Sequence, residues 1–377
     1  MRIGFDGKRA VQNFTGLGNY SRYVADILCH FYPENDYVLY APKKRENKRM
    51  NLLTGQYRQL TLAYPATSFW KKLSSLWRVW GITSQLEKEG IELFHGLSNE
   101  LPLNIHKSRI KSIVTIHDLI FLRYPQYYQS IDRKIYTYKF RKACENADKI
   151  IAISECTKRD IIRYFNIPDD KIEVGYQGCE ISFTHPVTEE KKEEVRKKYQ
   201  LPDHYILNVG SIEERKNILA AVQALPMLPQ HIHIVIVGRR TGYTEKVEQF
   251  IKDNGLGERV HIISNVPFND LPAFYQSAEI FVYPSRFEGF GIPIIEALYS
   301  GIPVVAATGS CLEEAGGPDS IYVNPDDITG LADAFKQIYS NSDKRKYMVV
   351  EGREFAKRFS EKQQSEEIIN IYKKLIR

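Results

Sequence analysis

Short β-branched and apolar runs recur along the chain, separated by longer stretches compatible with helix. In the first half, Arg2–Phe5, Tyr37–Tyr40, Leu93–His95, Ser112–Ile116, Lys149–Ile153 and Ile172–Val174 read as strands. In the second half the strands are Tyr205–Val209, His233–Val237, Val260–Ile263, Ile280–Tyr283, Val304–Ala306 and Ser320–Val323. Apolar runs of this kind, with helices between them, predict parallel sheets covered on both faces. Each half therefore reads as a doubly wound α/β unit, with a boundary at 183/184. The charged stretch Thr188–Tyr199 opens the second unit after a linker near 181–190. Near the end, Ile368, Ile369, Tyr372, Leu375 and Ile376 fall at i, i+1, i+4, i+7 and i+8, one apolar helix face that must find a surface to cover.

Sheets of this type bind ligands beyond the carboxyl ends of their strands. The residues just past each predicted strand are therefore the candidates. In the first half these include Gly16-Leu-Gly-Asn-Tyr20 and His117-Asp118. In the second they include Gly210-Ser-Ile-Glu-Glu-Arg-Lys-Asn217 and Gly238-Arg239-Arg240. The richest stretch is Ser285-Arg-Phe-Glu-Gly-Phe-Gly-Ile-Pro-Ile-Ile-Glu296, a glycine loop joining a strand to a short helix. Pro293 suits a first helical position, and the N–H groups of Phe290, Gly291 and Ile292 would stand at a positive helix end that favours an anion. Glu288 on the loop and Glu296 in the first helical turn are placed to hold sugar hydroxyls. Taken singly, each feature has an ordinary explanation. Glu296 complements a helix dipole, Arg215-Lys216-Asn217 is a solvated helix start, Gly16-Leu-Gly18 is a turn, and His117 is a hydrogen-bonded structural residue. Arg239 and Arg240 stay open between phosphate contact and solvent.

Composition narrows the setting. The 377 residues suffice for two domains with a core each. Five dispersed cysteines without a C-x-x-C pair argue against both a disulfide framework and a thiolate metal site. No signal-peptide pattern opens the chain, and no apolar run approaches the roughly 20 residues that span a bilayer. A soluble, cytoplasmic protein is expected. The net charge of +6 divides unevenly, +9 over residues 1–180 and −3 over the remainder. Either the first half meets an anionic partner, such as a membrane surface or a phosphate-bearing acceptor, or its lysines are scattered over the surface.

Tyr283-Pro-Ser-Arg-Phe-Glu-Gly-Phe-Gly-Ile-Pro-Ile-Ile-Glu-Ala297, followed by Gly301-Ile-Pro-Val-Val305, resembles the signature of retaining GT-B glycosyltransferases of family 4. The resemblance covers nearly the whole chain. Gly210–Asn217 is similar to that family's diphosphate-binding segment, Ile116-His-Asp118 to the segment carrying its catalytic-cleft histidine, and Ile153–Asp160 to a strand-to-helix junction. Two departures stand out: Glu313 replaces a usual proline, and Tyr176-Gln-Gly-Cys179 lacks the usual Asn-Gly. The resemblance implies two Rossmann-like domains facing across a cleft, an acceptor domain over 1–183 and a sugar-nucleotide donor domain over 184–360. It also implies that helix 361–377 crosses back to the first domain. It makes His117 and Glu288 the catalytic candidates, with Gly16, Gly18, Arg215, Lys216, Phe290, Gly291, Ile292 and Glu296 holding diphosphate and nucleotide.

Cleaving a sugar–diphosphate bond develops about two extra charges on the leaving group. No Asp-x-Asp is present to hold a metal. Arg215, Lys216 and a helix start worth roughly half a charge supply a substitute, so transfer is expected without metal or other cofactor. Gly4-Phe-Asp-Gly7 and Glu214-Arg-Lys-Asn217 resemble bacterial mannosyltransferases of polysaccharide assembly, which points to GDP-mannose as donor and a glycan or polyprenyl-linked acceptor. The alternatives are a nucleotide-sugar epimerase and a non-catalytic binding protein. No nucleic-acid motif is present. Trp70, Leu73, Trp77 and Trp80, at i, i+3, i+7 and i+10 beside Lys71, Lys72 and Arg78, read either as core or as a face touching anionic membrane or a lipid acceptor.

Overall fold

The structure, a computed structural model, describes residues 1–376. It divides into two compact units, Met1–Gln177 with Glu361 onward, and Gly178–Ser360. The first holds seven strands: β1 (Arg2–Asp6), β2 (Asp36–Tyr40), β3 (Leu60–Ala63), β4 (Leu93–Gly96), β5 (Lys111–Ile116), β6 (Lys149–Ala152) and β7 (Ile172–Val174). They form one parallel sheet in the order β3-β2-β1-β4-β5-β6-β7. The second holds β8 (Tyr205–Val209), β9 (His233–Val237), β10 (Val260–Ile263), β11 (Ile280–Tyr283), β12 (Val304–Ala307) and β13 (Ile321–Val323), all parallel, in the order β10-β9-β8-β11-β12-β13. Each sheet reverses its strand order once, between β1 and β4 and between β8 and β11. Loops after those strands diverge to opposite faces and leave a crevice at the carboxyl edge.

Alternation along the strands builds the cores. In the first unit Ile3, Phe5, Tyr37, Leu39 and Ile113 face one hydrophobic cluster, while Val38, Tyr40, Val114 and Ile116 face another. Because both faces are covered, the strands are apolar at nearly every position, the pattern that made twelve of them readable. The strand the sequence did not announce is β3. It is an edge strand, paired only with β2, and among its four residues only Leu60 is buried.

The division falls after Gln177, ahead of the expected 183/184. Phe183 is fully buried against Phe268 and Tyr275, with ring centroids 5.7 and 5.3 Å away, so the connecting segment already belongs to the second core. The closing helix Glu361–Ile376 packs into the first core. Ile368, Ile369, Ile371 and Tyr372 are buried in one cluster with Ile3, Val24, Leu28 and Leu93.

The tryptophan segment departs from a single helical face. The helix Ser68–Lys72 ends at Leu73, and a π-helical turn spans Trp77–Gly81. The extra residue in such a turn shifts every later side chain around the helix axis. Trp77 is wholly buried, its Nε1 donating to Gln85 at 3.1 Å, whereas Leu73 and Trp80 are exposed. Arg78 turns inward to Asp6 and Glu100 and is not available to a surface. Among the described residues no helix is long and apolar enough to cross a membrane.

Candidate functional site

In the second unit the loops after β8 and β11, on the two sides of the strand-order reversal, bring Arg215, Lys216 and Glu288 together. A short 3₁₀ turn, Glu214–Lys216, ends at Asn217 with φ +54°, and the Asn217 amide donates to Pro325 O at 2.8 Å, fixing where the two cations point. Arg215 Nη1 lies 2.8 Å from Glu288 Oε2, and Lys216 Nζ lies 3.6 Å from Oε1. Lys216 also donates to the Tyr283 hydroxyl at 3.0 Å, which in turn donates to Glu288 Oε1 at 3.2 Å; Ser285 donates to the same oxygen at 2.8 Å.

Burial alone would raise the Glu288 pKa. Lys216 and Arg215 outweigh it, with the hydrogen bonds from Arg215 and Ser285, and hold the carboxyl at about 2. The same pairing outweighs burial on the cations and keeps both above their ordinary values. The cluster is thus ionised near neutrality, with two cations around Glu288 and a second carboxylate, Glu213, 3.7 Å from Arg215.

The loop itself is clamped. Cys311 Sγ donates to the carbonyls of Glu288 at 3.0 Å and Phe290 at 2.8 Å, and the Phe290 side chain is buried against Phe359. Gly291 has φ +144°, which calls for glycine, and a Cβ there would sit tightly against Ala315 and Leu312 at 3.2 Å. The helix begins at Ile292, with Pro293 second. Glu296 is its fifth residue and lies past the first turn, which corrects the expected placement and removes it from the region where a helix dipole is felt. Its Oε2 instead accepts from the Tyr275 hydroxyl at 2.7 Å. Burial pushes the Glu296 carboxyl up to about 7, against that hydrogen bond and with help from the charge of Glu180. Arg239, itself exposed, reaches the edge of this cluster through Glu213 at 3.5 Å, which also lies 3.7 Å from Arg215, while Arg240 is turned to Glu248.

In the first unit His117 comes directly after β5 and is buried. Its Nε2 lies 2.9 Å from Leu97 O, so this nitrogen carries the proton; Nδ1 then accepts from Gln177 Nε2 at 3.2 Å. The backbone N–H of His117 donates to Asn99 at 2.7 Å. Burial lowers the ring pKa to about 4, so the imidazole is neutral. Behind it runs a buried chain of neutral groups. The Tyr20 ring stands edge-on to His117 with centroids 4.6 Å apart, and its hydroxyl lies 3.2 Å from Thr115 Oγ1. Thr115 is 2.8 Å from His95 Nε2, and His95 Nδ1 is 2.6 Å from the hydroxyl of Tyr372 on the closing helix.

The two candidate glycines of this unit differ. A Cβ on Gly18 would fall 2.0 Å from Asn13 O, so the loop's own packing demands glycine there. A Cβ on Gly16 would meet nothing. Tyr275, Tyr283, Ser285, Cys311 and Gln177 were not singled out from the sequence as candidates. Only Tyr283 and Ser285, flanking the glycine loop, and Gln177, in the departure from the usual Asn-Gly, carried any signal.

Residues 191–355 match the Glycosyl transferases group 1 family and residues 21–183 match Glycosyltransferase Family 4. O-antigen chain mannosyltransferase B of Escherichia coli is 31% identical over 289 residues, covering 75% of this chain and 74% of that protein. O-antigen chain mannosyltransferase RfbU of Salmonella typhimurium is 29% identical over 225 residues, 60% of each chain. Among solved structures, sucrose-phosphate synthase from Thermosynechococcus elongatus aligns with all of this chain and 99% of its own, with a TM-score of 0.78 at 20% identity. Anabaena Alr3699/HepE, solved in complex with UDP, aligns over the whole of both chains with a TM-score of 0.78 at 18% identity. The chain therefore belongs to the group 1 and family 4 glycosyltransferases and shares their GT-B fold of two Rossmann-like domains.

Proposed function

We propose that this protein transfers mannose from GDP-mannose, with retention of anomeric configuration and without a metal ion, to a glycan or polyprenyl-linked acceptor in surface polysaccharide assembly. The observation that carries the reading is the buried Arg215–Lys216–Glu288 cluster at the strand-order reversal of the second unit. The two cations meet the charge that develops on the departing diphosphate, Arg215 as a fork and Lys216 as a point charge. The N–H groups at Phe290, Gly291 and Ile292 supply the helix-end field. Glu288, held ionised, accepts hydroxyls of the transferred sugar and stabilises positive charge at its anomeric carbon; Glu296 accepts the ribose hydroxyls.

In the proposed step the bond from the anomeric carbon to the phosphate oxygen breaks. The acceptor oxygen bonds to the same face, and the acceptor's proton passes to the departing phosphate. No base is required of His117. Its Nε2 proton is committed to Leu97, and its Nδ1 accepts from Gln177. The names of the Escherichia coli and Salmonella relatives support mannose.

The test is incubation with a panel of sugar nucleotides, with and without EDTA, with and without polyprenyl-linked and oligosaccharide acceptors, read by anomeric NMR of the product. GDP-mannose should be consumed only with an acceptor, equally well in EDTA, giving an α-linked product. Conversion of donor without acceptor would establish an epimerase. A requirement for added divalent ion would remove the metal-free site, and preference for a UDP-sugar would reassign the donor.

A further inference from the structure

The glycine loop that carries Glu288 is held at two ends. At its front the Arg286 N–H donates to Arg215 O at 2.9 Å, and the Arg215 guanidinium donates to Phe287 O. At its rear it meets the segment that follows β12, where Cys311 Sγ lies 3.0 Å from Glu288 O and 2.8 Å from Phe290 O. A thiol has one proton, and here two acceptors share it across Gly289. A peptide is planar and trans, so holding Phe290 O also fixes the opposed direction of the Gly291 N–H. Holding Glu288 O limits rotation about the residue whose carboxylate joins the charged cluster. One wholly buried side chain thus steers both kinds of group that the loop offers.

Cys311 is fixed in turn by Glu313, the residue that stands where proline is usual. Glu313 Oε1 accepts from Thr308 Oγ1 at 2.7 Å and from the Gly309 N–H at 3.3 Å, drawing the turn after β12 against the helix Leu312–Gly316. Side-chain packing adds nothing at Gly309, which has φ +90° and no non-neighbouring atom within 4 Å of where a Cβ would stand. A proline at 313 has no side-chain acceptor and would leave both donors to water. On either side of Glu313, Leu312 and Ala315 close on Gly291, so the same short helix meets the loop at a second point.

The two holds differ in what else they serve. Under the function proposed above, on which this inference rests, Arg215 also meets the diphosphate, so the front hold is shared with the ligand. The rear hold uses no group assigned to the ligand. We propose that Cys311 and Glu313 are positioning residues for the transfer. Glu313 sets the turn Thr308–Cys311, and the Cys311 thiol sets the Glu288 carboxylate and the Gly291 N–H while Arg215 turns to phosphate. Neither residue touches the reacting atoms. A packing role alone would spread its loss over the whole unit; a positioning role concentrates it in the loop.

The experiment is hydrogen exchange on the full chain without nucleotide, read over residues 285–292, a readout independent of which sugar is transferred. Cys311→Ala should speed exchange there on the order of tenfold, and Cys311→Ser, which keeps a donor, should restore it to within about twofold. Glu313→Ala should speed it about threefold, whereas Glu313→Gln, which keeps an acceptor oxygen, should stay near the parent. Glu313→Ala changes an exposed side chain and so tests the turn without opening a cavity. Exchange elsewhere in 178–360 should match the parent in all four variants. With GDP-mannose and the acceptor the parent uses, Cys311→Ala should lower kcat about tenfold and raise the donor KM less, with Cys311→Ser recovering most of the rate. A parent that leaves GDP-mannose untouched would unseat the donor, and the exchange result would still decide this role. Parent-like exchange in Cys311→Ala, acceleration spread evenly over 178–360, or no recovery in Cys311→Ser would each overturn the role of Cys311. Parent-like exchange in Glu313→Ala would overturn that of Glu313.

Discussion

Past β8 and β11 the second unit gathers Arg215, Lys216 and Glu288, whereas past β5 the first buries a line of neutral hydrogen-bonding groups, set apart from its own ion cluster of Arg78 with Asp6 and Glu100. Arg215, Lys216 and Glu288 are ionised and compensate one another. Tyr372, His95, Thr115, Tyr20 and His117 form a line in which no member carries charge at neutral pH. Charge is useful where a leaving group must be stabilised; neutrality is useful where a wall must keep its shape without titrating. The lesson is that one fold can be tuned to either end by the residues placed just past its strands.

The widest expected gap comes from breaking the charged side. Lys216→Ala should reduce turnover on the order of 10²–10³-fold, measured in steady state at saturating donor. Glu288→Ala should in addition destabilise the second unit by about 3–5 kcal/mol in urea unfolding, because Arg215 and Lys216 stay buried without their counter-charge. Near-parent turnover in Lys216→Ala would remove this residue from the mechanism.

Acid should separate the units next. Burial lowers His95 to about 3 and His117 to about 4, so each gives stability that is full above the ordinary 6.5 and declines as pH falls below it. Between pH 7 and 5 the first unit should lose up to roughly 4 kcal/mol. In the second, His233 and His261 are also lowered by burial and act in the same sense, while Glu296 acts in the opposite one, so its net loss should be the smaller. Glu288, depressed to about 2, gives stability that is lost only as pH falls below the ordinary 4.5. Glu296, raised to about 7, favours the folded form most at low pH and disfavours it progressively from 4.5 up to about 7. Hydrogen exchange resolved by segment at pH 7 and 5 checks this, and earlier loss of protection in residues 178–360 would contradict it.

A smaller effect tests the neutral line itself. Tyr372→Phe leaves His95 Nδ1 without its partner and should cost about 1–3 kcal/mol in unfolding free energy, with little change in shape. The smallest should come from Arg239→Ala. Its pairing is exposed, so stability should shift by less than about 0.5 kcal/mol and the donor KM should barely move.

Much of this comparison was legible in the residues, for reasons that also explain what was not. Strands covered on both faces write themselves as unbroken apolar runs, and edge strand β3, with one buried residue, does not. Arg215, Lys216 and Glu288 were visible because each lies on a loop leaving a strand on either side of a strand-order reversal. The partners that set their protonation lie some seventy residues off in sequence, as from Lys216 to Tyr283, and no local pattern encodes them. Gln177 beside His117 is likewise distant, by sixty positions. The tryptophan periodicity misled because constant helical spacing was assumed across Leu73 and the π turn. Glu296 was placed one residue early, since Pro293 marks a helix start only to within a residue.

The burial of Tyr372 and its neighbours beneath Leu28 and Leu93 bears on how the chain is made. The first unit begins at residue 1 but lacks a wall of its core until residues 368–372 leave the ribosome, by which time the whole of 178–360 has already emerged. The order of synthesis and the order of completion are therefore reversed: the unit translated second can close first. A nascent chain stalled with residues 361 onward still in the exit tunnel should show residues 1–177 cut readily by protease and 178–360 resistant. Parent-like resistance of both would show that the first core closes without its last helix.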